Sequence, residues 1–232
     1  MKIIVSGCSY SCTPIDETYS KYLNEKYGHE VSNISQSGRS NQSIIKNIYD
    51  FINVDNIRDS YIVCQLTYTH RLGMFHDIFN RWYNYQPYGV KTISNGELNL
   101  NKIGKDSFLK DFNDLKKNQL ANEISNDLLK FYETYLKWIY NDEAEFESLM
   151  LNVDMLTEWV KLNNNKIMFM YWPGKMNETE TMKLKQRNFF NIDGKYSMLD
   201  FTKANALVDN DGHMNRKGNE YIAYEINEWI NQ

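Results

Sequence analysis

The chain has 232 residues, of which 42% are hydrophobic and 24% charged, a balance typical of a folded globular protein. Its formal net charge of −4 argues against a surface built for nucleic acid or anionic lipid, so we expect neither a nucleic-acid nor a membrane partner. The sequence contains no run of about 18 apolar residues, the length that a membrane-spanning helix needs.

The cysteine and glycine patterns give no reason to expect a metal or a cofactor. The three cysteines lack metal-binding spacing, and no glycine-rich phosphate loop is visible. Thiols without an obvious disulfide framework suit a reducing compartment, so we expect a cytoplasmic protein. The chain is rich in Asn, Lys and Ile and has 3 prolines, a composition that suggests an AT-rich source such as a virus or phage. For a viral protein, the expected location is the host cytoplasm or the virion.

Apolar runs alternate with helical patterns at the start of the chain. Short apolar runs predict strands at 2–5, 30–34 and Tyr61–Leu66. Apolar residues at helical spacing predict helices at 16–27 and 40–54. Because the strands are mostly apolar and are separated by helices, they indicate a parallel sheet that is covered on both faces.

The alternation is interrupted at about 70–126, where the chain is first aromatic and then polar. A loop region of this length is typically a lid, a binding surface or an inserted subdomain. The aromatic residues at 79–88 suit either a carbohydrate platform or the small core of an insertion. The later elements are predicted as helices at 128–140 and 144–162, strands at 166–172 and 197–201, and a last helix at 215–230.

These elements predict one α/β domain that covers residues 1–232. We expect three α/β/α layers around a mainly parallel, five-stranded sheet, with a loop-rich insertion after the third strand. In open sheets of this kind, ligands bind at the carboxyl ends of the strands. Candidate functional residues are therefore those that follow the predicted strands.

A small, hydroxyl-rich turn follows the first strand, with the sequence SGCSYS at residues 6–11. Such a turn can expose a serine Oγ while backbone N–H groups at the start of the next helix face the same point. Ser9 is therefore a candidate nucleophile. The alternative is an ordinary strand-to-helix turn with capping serines.

A second candidate precedes the last predicted helix, in the sequence DNDGHMN at residues 209–215. His213 has a carboxylate two residues upstream, Asp211, and another four residues upstream, Asp209. These are the parts of a general base and of the acid that orients it, because a carboxylate holds the imidazole tautomer and stabilises the imidazolium. We therefore pair His213 with Ser9.

Three short blocks, in this order along the chain, resemble the SGNH (GDSL-type) hydrolases. Gly7-Cys8-Ser9 resembles the nucleophile block of that family, with cysteine in place of the usual aspartate. The sequence NISQSGRSN at residues 33–41 resembles the second block, whose oxyanion glycine is here Gly38, and Asn41 ends this segment. The sequence HMNRKG at residues 213–218 matches the H-x-N-x-x-G form of the last block.

The acid of the last block departs from the family's pattern. The family places it three residues before the histidine, where this chain has Asn210. Asp211 lies two residues before the histidine, a spacing similar to that of alginate-type O-acetyltransferase relatives of the fold. We therefore expect Asp211 to be the acid, with Asp209 as the alternative.

The block that follows the third strand also departs from the pattern. The family has G-x-N-D there, and its asparagine side chain completes the oxyanion hole. This chain reads LTYTHR at residues 66–71. Thr69 aligns with the asparagine, while Thr67 and His70 are close enough in sequence to replace it.

The resemblance implies a serine-dependent esterase or O-acyl transferase that acts on a carbohydrate or small-molecule ester. Ser9 is expected to attack the carbonyl carbon, His213 to take the serine proton, and Asp211 to orient the histidine. We expect the oxyanion and substrate-binding side to contain Gly38, Thr69 and Asn41. Because two blocks are atypical, a catalytically inactive SGNH fold that serves as a binding or structural module is the main alternative. A nucleotide-binding flavodoxin-like protein is a second one.

Overall fold

The protein forms an α/β structure, described here from a computed structural model. The residues that the structure describes are 1–12, 18–36, 39–69, 71–76, 81–85, 130, 134–135, 138–174, 176–187, 189–192, 194–209 and 213–232. The strands are β1 (Lys2–Ser6), β2 (Glu30–Asn33), β3 (Tyr61–Leu66), β4 (Leu72–His76), β5 (Arg81–Tyr85) and β6 (Lys166–Tyr171). The helices are α1 (Ser9–Cys12), α2 (Tyr19–Glu25), α3 (Asn41–Val54), α4 (Asp142–Leu162), α5 (Glu178–Gln186), α6 (Met198–Ala204) and α7 (Arg216–Ile230).

Four strands form one sheet in the order β2-β1-β3-β6, and each strand is parallel to its neighbours. In this register Ile4 lies beside Ser32 of β2 and Ile62 of β3. The parallel order requires every connection to cross from one end of the sheet to the other, which the helices do. The predicted parallel sheet is thus confirmed, and all four strands end at one edge.

The predicted five-stranded sheet is wrong by one strand, because residues 197–201 form most of helix α6 instead. Ser197 makes a single parallel bridge to Tyr171 at the sheet edge. Its side chain then accepts a hydrogen bond from the Asp200 N–H and caps the helix. The buried residues Met198, Phe201 and Thr202 follow helical spacing, which a short apolar run conceals.

Alternate residues of the strands point to opposite faces of the sheet and divide the core into two layers. On one face, Ile4 and Ile62 pack with apolar residues of α3, α4 and α5. On the other face, Ile3 and Val63 pack with α2, α6 and α7. The three-layer arrangement that the sequence predicts is therefore confirmed, with helices on both sides of the sheet.

The inserted region that the sequence predicts at about 70–126 is described only in part. Its described portion contains an antiparallel pair, in which β4 pairs with β5 from Leu72 opposite Tyr85 to His76 opposite Arg81. The remainder, residues 77–80 and 86–126, lies outside the described residues, as does most of the helix predicted at 128–140. Within the described part of the chain, no helix has both the length and the apolar character to cross a bilayer.

Candidate active site

Ser9 lies at the carboxyl edge of the sheet, where β1 gives way to α1. It is the first residue of that short helix and is half-buried. The turn closes through the Ser11 N–H, which donates to the Cys8 carbonyl oxygen at 3.0 Å. The backbone N–H groups at the start of a helix have no partner within the helix, so this position places donors beside the Ser9 hydroxyl.

Gly7 is required by the close packing of this turn. A Cβ at this position would lie 2.7 Å from Ser11 Oγ and 2.9 Å from Gln65 Oε1. Both distances are shorter than van der Waals contact, so even one methyl group forces the turn or β3 to move. The glycine that resembles the first residue of the nucleophile block thus has a steric reason in this structure.

We expect Gly7→Ala to lower the free energy of unfolding by about 1–3 kcal/mol because of this overlap. Urea denaturation of the variant and the wild type measures the difference. Ser11→Ala removes the nearest atom, so the double variant should lose less stability than the sum of the two single variants. Strict additivity, or a stable Gly7→Ala protein, would contradict the steric explanation.

Gln65 of β3 holds in place the turn at residues 7–11, which contains the candidate nucleophile Ser9 and is called the nucleophile turn below. Its side chain is 1% exposed. Oε1 accepts hydrogen bonds from the Cys8 N–H at 3.2 Å, from Cys8 Sγ at 3.3 Å and from Ser11 Oγ at 3.1 Å. Nε2 donates to the Leu66 carbonyl oxygen at 2.7 Å. Gln65 is not among the residues predicted from the sequence, although a single amide side chain within the apolar strand YIVCQL was an available signal.

Asn33 at the end of β2 supports the same turn from the other neighbouring strand. Its Nδ2 donates to the Ser11 carbonyl oxygen at 2.8 Å and to Ser20 Oγ at 2.9 Å, and its Oδ1 accepts from the Ser35 N–H at 3.0 Å. The Gln36 N–H then donates to the Gly7 carbonyl oxygen at 3.1 Å. The segment that resembles the second block therefore runs alongside the nucleophile turn, while Gly38 itself lies outside the described residues.

The residues on the two sides of positions 210–212 pair with each other before the last helix. The Asp209 N–H donates to the His213 carbonyl oxygen at 2.8 Å, and Val208 bridges Met214 in an antiparallel pair. Asn215 then caps α7, because its Oδ1 accepts from the Gly218 N–H at 3.0 Å. The H-x-N-x-x-G spacing of the sequence thus corresponds to a loop that ends in a helix cap.

Asn219 joins this loop to the opposite end of the chain. Its Oδ1 accepts from the Tyr19 N–H at 2.9 Å, and its Nδ2 donates to the carbonyl oxygens of Met214 at 3.0 Å and Asn215 at 3.2 Å. Tyr19 in turn hydrogen-bonds to Ser11 through its hydroxyl group at 2.7 Å. A continuous buried network therefore connects the histidine loop to the nucleophile turn.

The His213 ring contacts the residue that follows Ser9. The ring centroids of Tyr10 and His213 are 4.8 Å apart. The Tyr10 ring also stacks on the Trp172 ring, with a distance of 3.8 Å between the ring centroids. Burial raises the pKa of the Tyr10 phenol to about 12, with a smaller contribution from Tyr68. The phenol is therefore neutral at physiological pH. The structure thus places the His213 ring beside Tyr10, the residue that follows Ser9.

The end of β3 is held by a reciprocal pair of hydrogen bonds from Asn41. Its Nδ2 donates to the Thr67 carbonyl oxygen at 3.0 Å, and its Oδ1 accepts from the Thr67 N–H at 2.8 Å. The Asn41 side chain is buried, so in this structure it positions the segment after β3.

Thr69, the next candidate along the chain, is half-buried and hydrogen-bonds to the Tyr140 hydroxyl at 3.0 Å. It lines a small pocket between α3 and α4. Most of the side chains around that pocket are polar: Asn41, Gln42, Thr69, Glu145, Ser148 and Asn152, with Ile45 and Leu149. The role of Thr69 in place of the family's asparagine stays a prediction.

Of the two candidate acids, the structure describes Asp209. Asp211 lies outside the described residues, as does His70. Asp209 is exposed, and its backbone N–H donates to the His213 carbonyl oxygen. Among the described residues, no group of three or more His, Cys, Asp or Glu side chains is arranged to hold a metal ion.

Solved structures share this fold over their whole length. A member of the lipolytic protein G-D-S-L family from Veillonella parvula has a TM-score of 0.53 at 12% sequence identity, covering 100% of this chain and 99% of that one. The esterase EstA from Pseudoalteromonas sp. has a TM-score of 0.50 at 15% identity, with the same coverage of both chains. No protein-family model matches the sequence, and no curated protein matches it. The chain therefore has the SGNH hydrolase fold, at a sequence identity of 12% and 15% to these two structures.

Proposed function

We propose that this protein is a serine-dependent acyl-ester hydrolase or acyl transferase, with Ser9 as nucleophile and His213 as general base. One observation carries the proposal: the His213 ring packs against Tyr10, directly after Ser9, at the carboxyl edge of the parallel sheet. The buried network through Asn219, Tyr19 and Ser11 supports this pairing, because it fixes the two loops relative to each other.

In the proposed reaction, Ser9 Oγ attacks the ester carbonyl carbon while the His213 imidazole takes the hydroxyl proton. The tetrahedral intermediate carries its negative charge on the former carbonyl oxygen. We assign the stabilisation of that charge to the backbone N–H groups of Ser9 and Gly38, with a hydroxyl group from Thr69. Collapse of the intermediate breaks the ester C–O bond, and the leaving alcohol takes the proton from His213.

The second half of the reaction restores Ser9. A water molecule, or the hydroxyl group of another acceptor, attacks the acyl-serine carbonyl carbon and gives its proton to His213. Collapse of this second tetrahedral intermediate breaks the bond to Ser9 Oγ, which takes the proton back from His213. Water yields a carboxylic acid, whereas a hydroxyl acceptor yields a new ester. Asp211 is the acid that we propose to orient His213, with Asp209 as the alternative. On the basis of the family resemblance, the substrate that we propose is an ester on a carbohydrate or another hydroxylated small molecule.

Labelling with a fluorophosphonate tests the nucleophile directly. One solved structure of EstA is described as inhibited by monoethylphosphonate, so a reagent of the same chemical class is a suitable probe. We expect the wild-type protein to be labelled, with the added mass on the peptide that contains Ser9, and Ser9→Ala to stay unlabelled. Ser32→Ala, which removes a half-buried hydroxyl from β2, is the matched control and should be labelled like the wild type.

The labelling result also separates the two functional classes. Equal labelling of the wild type and Ser9→Ala would place the reactive group elsewhere and refute the proposal. Absence of label from both folded proteins would favour the alternative, in which the SGNH fold serves as a binding module without chemistry.

A further inference from the structure

Arg71 is a buried arginine close to the proposed catalytic centre. It lies between β3 and β4, directly before Leu72, and its relative exposure is 8%. Its Nη1 donates to the Arg39 carbonyl oxygen at the long distance of 3.4 Å, and its Cζ lies 5.6 Å from the centroid of the Tyr68 ring. Its backbone N–H donates to the Tyr68 carbonyl oxygen at 3.3 Å.

The positive charge of Arg71 has no acidic partner within the part of the chain that the structure describes. The ion pairs seen there all involve other cations: Lys46, Lys161, Lys183, Arg187 and Arg216. A buried guanidinium group is stabilised by an anionic group beside it. A guanidinium group also offers five N–H donors, and the contact to the Arg39 carbonyl oxygen uses one of them.

A chain of ring contacts connects Arg71 to the proposed catalytic pair. The guanidinium group lies over Tyr68, the phenols of Tyr68 and Tyr10 interact, and Tyr10 contacts His213. Arg71 also acts electrostatically on both phenols. Two aromatic rings, those of Tyr68 and Tyr10, therefore separate the cation from His213.

We propose that Arg71 binds an anionic oxygen group of the substrate, so that the preferred ester carries a negative charge. The planar guanidinium fork suits bidentate contact with a carboxylate, sulfate or phosphate. This inference rests on the proposed function, and it narrows the substrate class to anionic esters. The charge belongs either to the acyl part or to the alcohol part of the ester.

Two pairs of esters test the proposal and locate the charge. On the acyl side, 4-nitrophenyl hemisuccinate is compared with its neutral methyl ester. On the alcohol side, 4-acetoxybenzoate is compared with methyl 4-acetoxybenzoate. Within each pair the reacting ester is the same and the remote charge differs. We expect the wild type to prefer the anionic member of one pair by about tenfold or more in kcat/KM.

Variants of Arg71 show whether this residue causes the preference for the negatively charged ester. We expect Arg71→Gln to bring the anionic-to-neutral ratio of kcat/KM close to one, and Arg71→Lys to keep part of the preference. Arg58→Gln is the matched control, because Arg58 is exposed near the start of β3, at the other edge of the sheet, and should leave the ratio unchanged. A purely structural role of Arg71 would change both esters equally and leave the ratio at its wild-type value, which would overturn the proposal.

Two further measurements keep the outcomes distinct. If the Arg71 variants fail to fold, inhibition of the wild type is measured with succinate and with succinamide. Stronger inhibition by the anion supports the proposal, and equal inhibition refutes it.

Ester turnover that persists in Ser9→Ala would refute the proposed function, whereas turnover that depends on Ser9 but shows no charge preference would refute only this inference. If no ester is turned over, calorimetric titration with succinate decides the anion site, and absence of binding overturns it.

Discussion

Replacing His213 with glutamine is expected to lower kcat/KM for ester hydrolysis by about four to six orders of magnitude. Glutamine retains a polar, planar end group, but it cannot take the proton of the Ser9 hydroxyl at neutral pH. The serine then has to attack as a neutral hydroxyl, which is a weak nucleophile. Activity towards an activated ester such as 4-nitrophenyl acetate, measured on protein whose circular dichroism matches the wild type, gives the ratio.

His29 provides the matched control for this substitution. It is also a histidine, it is buried, and its Nε2 hydrogen-bonds to Asn227 at 3.0 Å. It precedes β2, so it lies near the amino edge of the sheet, opposite to Ser9. We expect His29→Gln to keep the wild-type kcat/KM in its folded form. A loss of less than tenfold in His213→Gln would contradict the role of His213 as the base.

The sheet and most of its helices could be predicted from the sequence because their signals are local. Strand β3 has the predicted bounds, and the long helix α4 begins two residues before the predicted position. Apolar runs and helical periodicity are properties of neighbouring residues, so they can be recognised without knowing the tertiary contacts of the segment. The error at residues 197–201 has a related cause, since five residues are too few for a strand and a helix to differ clearly in pattern. The capping by Ser197 decides between them.

The position of Ser9 was predictable from a rule about topology, because residues that follow the strands of a parallel sheet share one edge. His213 follows helix α6 and not a strand, so this rule does not account for its position beside Tyr10. The supporting residues could not be predicted in the same way. Asn219 and Tyr19 are 200 residues apart, and Gln65 and Cys8 are 57 apart. Their hydrogen bonds depend on the tertiary structure, and no spacing in the sequence predicts them.

Gln65 is the supporting residue whose loss should cost most. We expect Gln65→Met to lower the free energy of unfolding by about 2–4 kcal/mol. Methionine fills a similar volume, so the cost comes from the lost hydrogen bonds. The Cys8 N–H loses the acceptor that Gln65 gives it, while the Ser11 hydroxyl and the Leu66 carbonyl oxygen each lose one of two bonds and keep those to Tyr19 and Trp172. Urea denaturation measures the change, and Gln186→Met on the exposed side of α5 is the control for the same chemical substitution, with an expected effect of about 0.5 kcal/mol or less.

The same substitution should also lower kcat in the fraction of protein that remains folded. Gln65 contacts the turn on both sides of Ser9, through Cys8 before it and Ser11 after it. Without these bonds the turn can relax, and a displacement of about 1 Å between nucleophile and substrate can cost about a hundredfold in rate. A Gln65→Met protein with wild-type kcat would show that the other supports of the turn, from Asn33 and Tyr19, are sufficient to hold Ser9. A fall in kcat without a matching rise in KM would instead identify Gln65 as a residue that positions the nucleophile.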